Sequence, residues 1–317
     1  TKKISKGWIF VSNCKVAVVQ VGSIVMNKVK CIDKAITYIQ EAGANGANIV
    51  VFPEAFIPAY PRGLSFGAVV GSRSSEGRNQ FLRYAKNAIT VPGPETEQLG
   101  EAVKKVGAYT IIGVIERDDH SSGGTLYCTA IFFGPDGTLL GKHRKLKPTG
   151  SERLIWGEGD GSTLPVFETP YGKIGSLICW ENYMPLARAA MYQKGIQIYV
   201  IPTADSRDSW FASMRHIALE GRCFVLSCNQ YSTKDMYEEE VLETEEMKNM
   251  PFEITRGGSC IVNPLGEFLV EPVFGKEDIL YANLDLDDIT RGHFDFDVVG
   301  LYDRKDVFQL IVNEQPR

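Results

Sequence analysis

The chain has 317 residues, a mass of 35.2 kDa, a formal net charge of −5 and a pI near 5.6. That acidic balance excludes the basic footprint a nucleic-acid partner needs, and no apolar run approaches the ~20 residues required to cross a bilayer. The start, Thr1-Lys-Lys-Ile-Ser-Lys-Gly7, carries charge with no apolar stretch behind it, so no secretory leader is expected and the expected location is cytoplasmic.

Taken in chain order, strand and helix patterns alternate. Residues 15–20 read as a first strand. Residues 28–42 carry Val29, Ile32, Ile36 and Ile39 at helical spacing, with Gly43 as the stop. Residues 47–52 form a buried strand ending at Pro53-Glu54. Residues 63–83 are rich in Gly and Ser with scattered charge and read as a mobile segment. A helix over 95–106 and a strand over 109–116 follow. Gly134-Pro-Asp-Gly137 is a strong turn between strands at 127–133 and 138–142. Residues 167–171 lead into an apolar run, Lys173-Ile-Gly-Ser-Leu-Ile-Cys179, read as a strand. Asn182 and Pro185 read as the cap and first turn of a helix running to Lys194. Strands at 196–201 and 223–228 enclose a helix over 210–221. The acidic stretch 234–250 reads as a solvated loop or fraying helix. A hairpin around Asn263-Pro-Leu265 and a strand over 279–284 complete the pattern.

Near-continuous apolar strands imply cover on both faces. One sheet of so many strands would be wide, so the expectation is two mixed sheets packed together with helices outside. This is an α/β fold, a four-layer α-β-β-α sandwich, formed as one domain over residues 1–317.

The seven cysteines are an odd set with no CxxC, and most sit in apolar runs. They read as small buried hydrophobes in a reducing compartment. The four histidines, 120, 143, 216 and 293, show no zinc-ligand spacing, and no metal is expected.

Three ionisable groups sit at the end of an apolar strand beside a turn, where α/β folds build their sites. They are Glu54 after Val50-Val-Phe-Pro, Lys145 after Leu139-Leu-Gly-Lys-His-Arg, and Cys179. A thiol at a strand-to-helix turn faces backbone N–H groups, which favour the nucleophilic thiolate. Lys145 lies in a basic run that would ordinarily be a solvated face. It is the conjunction of carboxylate, ammonium and thiol that points to chemistry.

Phe52-Pro-Glu54, His143-Arg-Lys-Leu146 and Cys179-Trp-Glu-Asn182 resemble the Glu-Lys-Cys triad motifs of the nitrilase superfamily. Ser151-Glu-Arg-Leu-Ile-Trp-Gly-Glu-Gly-Asp-Gly-Ser162, Pro202-Thr-Ala-Asp-Ser206, His216-Ile-Ala-Leu-Glu-Gly221 and Phe294-Asp-Phe-Asp-Val-Val-Gly300 are similar to the nitrilase branch itself, close to plant-type enzymes. The resemblance spans roughly residues 14–312. It implies the same sandwich, no cofactor, a small-molecule nitrile and water as reactants, and a homo-oligomer assembled through dimers into larger or helical forms. It implies Cys179 as nucleophile, Glu54 as general base, Lys145 as the cation that stabilises developing charge, and Glu152 as a second glutamate orienting Lys145. Trp180, Tyr60, Thr149 and Thr203 are expected around the substrate. Glu181 is expected to hold the turn through backbone hydrogen bonds. An amidase or N-carbamoyl hydrolase shares the triad. Asn182, where cyanide-degrading relatives carry His, argues against cyanide as substrate. The segment 233–256 is shorter and more acidic than in plant-type enzymes and is expected near an oligomer surface.

Overall fold

The computed structural model describes residues 12–119 and 124–317, together with β1 (Ile4–Ser5) and β2 (Trp8–Ile9); the rest of the charged start and His120 lie outside them. The chain continues through β3 (Asn13–Gln20), α1 (Lys28–Ala44), β4 (Ile49–Val51), a ribbon of β5 (Ala68–Val69) and β6 (Ser72–Arg73), α2 (Ser75–Asn87) and α3 (Pro94–Val106). β7 (Tyr109–Arg117), β8 (Leu126–Phe133), β9 (Leu139–Arg144), β10 (Val166–Thr169) and β11 (Gly172–Ser176) follow, then α4 (Pro185–Gln193) and β12 (Ile198–Thr203). The last part holds α5 (Asp208–Gly221), β13 (Phe224–Asn229), β14 (Tyr231–Thr233), α6 (Glu239–Leu242), α7 (Glu245–Lys248), β15 (Glu253–Val262), β16 (Phe268–Phe274), β17 (Asp278–Asp285) and α8 (Asp287–Asp295).

A six-stranded sheet runs β17-β3-β4-β7-β8-β9, and a seven-stranded sheet runs β10-β11-β12-β13-β15-β14 with β16 paired to β15. Each has three parallel strands at its centre, β3-β4-β7 in one and β11-β12-β13 in the other, flanked by antiparallel neighbours. Period-two alternation decides what faces what. Val16, Val18 and Ile49 of the first sheet join Ile198, Val200 and Leu226 of the second in one core between the sheets. Ala17, Val19 and Val50 face the other way, onto Ile32, Ile39 and Val103 of α1 and α3. Tyr199, Ile201 and Val225 likewise pack on Met191 of α4 and Met214 of α5. The expected four layers are present.

Local differences have physical causes. Gly43 does not stop α1, which runs on to Ala44. It is a close-approach glycine, since a Cβ there would stand 2.5 Å from the Cβ of Val106 on the neighbouring helix. The stretch 63–83 holds a ribbon and most of α2, capped by Ser74, whose hydroxyl accepts from Gly77 N at 2.9 Å. Strand β11 ends at Ser176, short of Cys179, which opens a 3-10 turn over Cys179–Tyr183. The cap of α4 is therefore Met184, with Pro185 in the first turn as expected, and not Asn182. The acidic segment forms two short helices anchored by buried Val241 and Met247. No helix among the described residues is long and apolar enough to cross a membrane.

Candidate active site

The site is built where β4, β9 and β11 end. After β4 the chain turns through Pro53-Glu54-Ala55, and Ala55 takes a left-handed φ of 50°. Gly113 on β7 makes room, because a Cβ there would lie 2.1 Å from the Pro53 carbonyl oxygen. The Glu54 carbonyl accepts from Gln230 Nε2 at 3.1 Å, which fixes the turn from the other sheet. Lys145 follows β9, with its N–H on the Cys128 carbonyl at 2.8 Å and its carbonyl accepting from Gly159 N at 2.8 Å.

The side chains meet in the interior. Lys145 Nζ donates to Glu54 Oε1 at 2.7 Å and to Glu152 Oε2 at 2.8 Å. Lys145 and Glu54 are fully buried, and Glu152 is 6% exposed. Glu152 sits in a 3-10 turn, Gly150–Leu154, where its Oε2 also accepts Thr149 N at 2.6 Å and its Oε1 accepts the Tyr60 hydroxyl at 2.7 Å. Two carboxylates around one ammonium leave one negative charge. Burial raises the Glu54 carboxyl; Lys145 only partly offsets this, and Glu152 adds to it. Burial would lower Lys145, but Glu54, the two nearby thiols and Glu152 raise it well above the usual lysine range, so it stays a cation. Glu54 Oε1 also accepts a weak bond from Cys128 Sγ at 3.6 Å. The Cys179 side chain also hydrogen-bonds the Glu54 carboxylate, which burial makes more basic.

Cys179 occupies a left-handed φ of 52°, a costly conformation for a side chain, held by Asn182 Nδ2 bonding the Leu177 carbonyl at 3.0 Å and the Cys179 carbonyl at 2.8 Å. Its Sγ accepts the Thr203 hydroxyl at 3.2 Å and the N–H of Ala204. A resting thiolate, expected from N–H donors at the turn, is not what these surroundings produce. Burial foremost, then the Glu54 charge, push the thiol up to about 12, against the opposing pull of Lys145, Thr203 and Ala204. Cys179 is a thiol at rest and requires a base. All seven cysteines are buried and free.

A cavity of about 400 Å³ opens beside this cluster, walled by Tyr60, Leu64, Phe66, Leu154, Ile155 and Trp156, and Glu152 forms part of it. A narrower cleft runs between Tyr60, Arg62, Ala204 and Tyr237. Tyr60 walls both and bonds Glu152, so it joins the cavity to the charges. Cys179 lines neither. Thr203 touches the thiol, and Thr149 takes part through its backbone N–H. The Trp180 ring is half-exposed, its Nε1 donates to Asp205 Oδ2 at 2.8 Å, and the Arg207 guanidinium lies 4.8 Å from the ring centre; the Asp205 N–H donates in turn to the Thr203 hydroxyl at 3.0 Å. His216 is largely exposed on α5, 3.7 Å from Glu220. Sequence reading missed Cys128 and Trp156, whose ring centre lies 5.7 Å from Lys145 Nζ. Trp156 lies inside the Ser151–Ser162 motif, a usable signal; Cys128 in an apolar strand offers none. Among the described residues no cluster of three or more His, Cys, Asp or Glu could hold a metal ion.

Comparison with known proteins places these features in company. The carbon-nitrogen hydrolase family model matches residues 15–293. An aliphatic nitrilase of Sinorhizobium fredii is 56% identical over 305 residues, 96% of each chain. A bifunctional nitrilase/nitrile hydratase of Lupinus angustifolius is 52% identical over 306 residues, 95% of this chain and 86% of the other. Among solved structures, Saccharomyces cerevisiae Nit3, a member of branch 10 of the nitrilase superfamily, superposes with a TM-score of 0.73 at 24% identity, covering 94% of this chain and 98% of the other; this likeness speaks to the fold alone.

Proposed function

The chain belongs to the carbon-nitrogen hydrolase family and to its nitrilase branch, and we propose that it hydrolyses an organic nitrile to the carboxylic acid and ammonia at Glu54, Lys145 and Cys179. The observation that carries the reading is the buried Lys145 ammonium held between Glu54 and Glu152, close enough to Cys179 to pull its thiol down while Glu54 pushes it up.

Glu54 takes the Cys179 proton as Sγ attacks the nitrile carbon, and the proton passes to nitrogen, giving a thioimidate. Lys145 stabilises charge developing on nitrogen and later on oxygen; one preorganised donor of this kind typically lowers the barrier by about 3 kcal/mol. Water activated by Glu54 adds to the thioimidate, ammonia leaves, and a second water hydrolyses the thioester to the acid and the free thiol. If the thiol leaves the tetrahedral intermediate in place of ammonia, the product is the amide. The lupin relative is named a bifunctional nitrilase/nitrile hydratase, which supports such an amide fraction here. Glu152 holds Lys145, and Tyr60 and Thr203 contact the substrate end of the site, with Thr149 fixing Glu152.

The reading takes residues 1–317 as one domain, supported by a family match over 15–293 and by one core shared between the sheets. It also takes the active form as a dimer-based homo-oligomer extending to filaments, supported by apolar side chains left exposed on α4 and near the C-terminus, such as Leu186, Phe294 and Ile311. A cytoplasmic setting accords with the free cysteines.

Product analysis tests the function. Purified protein and Cys179→Ala are given phenylpropionitrile, phenylacetonitrile, an aliphatic dinitrile, β-cyanoalanine and cyanide, and ammonia, acid and amide are measured. Acid and ammonia from an organic nitrile, abolished in the variant, are expected. Hydrolysis of amides with no nitrile turned over would move the protein to the amidase branch.

A further inference from the structure

Glu181 lies two residues after Cys179, where a carboxylate invites assignment as a second base. Its surroundings exclude that. The side chain is fully buried. Oε1 accepts the N–H of Leu146 at 2.5 Å. Oε2 accepts the N–H of Ile178 at 2.6 Å and stands 2.8 Å from His143 Nε2. His143 is fully buried too, and its Nδ1 bonds the Thr163 carbonyl. Both oxygens are therefore committed.

The identity of the donors matters more than their number. Leu146 follows Lys145, and Ile178 precedes Cys179. The two segments leave different sheets, Lys145 from β9 of the six-stranded sheet and Cys179 from β11 of the seven-stranded one. A single carboxylate thus bonds the residue next to the cation and the residue next to the nucleophile. No backbone ladder pairs β9 with β11. Hydrogen bonds to an ionised acceptor are roughly twice as strong as neutral ones, and short ones fix geometry closely.

We propose that Glu181 is a positioning residue that sets the separation of Lys145 from Cys179, a role that rests on the nitrilase reading of those two groups. The side chain's length is part of the device. Aspartate is one carbon shorter and spans only one of the two segments. Glutamine keeps one acceptor oxygen but turns an amide N–H₂ against a backbone donor. His143 secures the carboxylate from a third direction and anchors it to the Thr163 loop.

The test uses the whole protein with E181Q and E181D. Active sites are titrated through Cys179 with iodoacetamide, followed by peptide mass analysis, so that kcat is expressed per competent site. KM and Tm are measured alongside. A misplacement of about 1 Å costs on the order of 10²-fold in rate. The expected result is a fall of about that size in kcat per titrated site, with KM changed about threefold or less and alkylation of Cys179 slowed in parallel. A carboxylate that only stabilises the fold would lower Tm and the number of titratable sites and leave kcat per site at the wild-type value; that result overturns the proposal. If E181Q does not fold, E181D decides by the same readouts, since it retains one anchor. Wild-type protein that turns over no nitrile, while either variant slows Cys179 alkylation, would leave the positioning role standing and refute the nitrilase reading alone.

Discussion

The charged cluster and the wall of the adjoining cavity are built in different ways. Glu54 and Lys145, just past strand ends, and Glu152, in a 3-10 turn, are almost wholly buried, and Lys145 bonds both carboxylates. The wall, the loop from Tyr60 to Phe66 with α2 behind it, is braced by the acidic segment. Arg83 pairs with Glu238 and Glu240, and Ser65 donates to Glu246 at 2.6 Å. Met247 and Met250 fill in against Gly63. Partly exposed ion pairs of this kind are worth about 0–1 kcal/mol each. The charged cluster is thus fixed by burial, while the cavity wall hangs on adjustable contacts.

The largest expected effect comes from breaking the cluster. Lys145→Met leaves two buried carboxylates facing each other without their cation. Removing one partner of a buried pair costs on the order of 3–5 kcal/mol of stability, and turnover is expected to fall about 10³-fold or more. Denaturant unfolding beside steady-state kinetics would check both; a variant with wild-type stability would mean that the cluster is not tightly held.

Tyr60→Phe should cost less. It removes one hydrogen bond to a charged acceptor, worth about 1.5–3 kcal/mol, and kcat is expected to drop about tenfold. An unchanged kcat with a raised KM would make Tyr60 part of the wall and not of the cluster.

His143 supplies a pH test. Burial works against its cation, but the Glu181 charge and hydrogen bonds outweigh burial and raise its pKa. Its contribution to stability is then fully present below the unfolded value of about 6.5 and is lost as pH rises through the higher folded value. Unfolding free energies of wild type and His143→Gln should therefore differ most in mild acid and converge above that value. A gap that widens with rising pH would contradict the pairing.

The smallest effect should come from the brace. Arg83→Ala is expected to raise KM for a bulky nitrile by about fivefold or less at low salt, with little change in kcat. At about 1 M salt, where screening acts within ~3 Å, wild type and variant should agree. A loss of kcat instead would tie the brace to the chemistry.

The same contrast governs what was legible in the residue order. Buried parallel strands are near-continuous apolar runs, so most strands and the four layers could be read from hydrophobicity alone. Glu54 and Cys179 were visible as polar groups ending such runs. Lys145 was harder, because its run looks like a solvated face. In the fold, His143 and Lys145 turn inward while Lys142 and Arg144 turn to Glu116. The alternation of a strand sorts one basic run into two roles. Helix α2 escaped notice because few of its residues are buried, Gly77 and Tyr84 among them, so it carries little apolar periodicity. Each residue of a 3-10 turn rotates about 120° from the last. The side chain after Cys179 therefore departs towards Asp205. The protonation state of Cys179 was beyond reach, since burial outweighs the N–H donors that the local motif advertises.

The most direct measurement is rapid quenching of the purified protein with an organic nitrile, followed by mass analysis of the peptide that contains Cys179. A transient acyl adduct on Cys179 is expected to form and decay at rates compatible with kcat and to be absent from Cys179→Ala. Formation of acid and ammonia with no adduct on that peptide, and with Cys179→Ala still active, would contradict it.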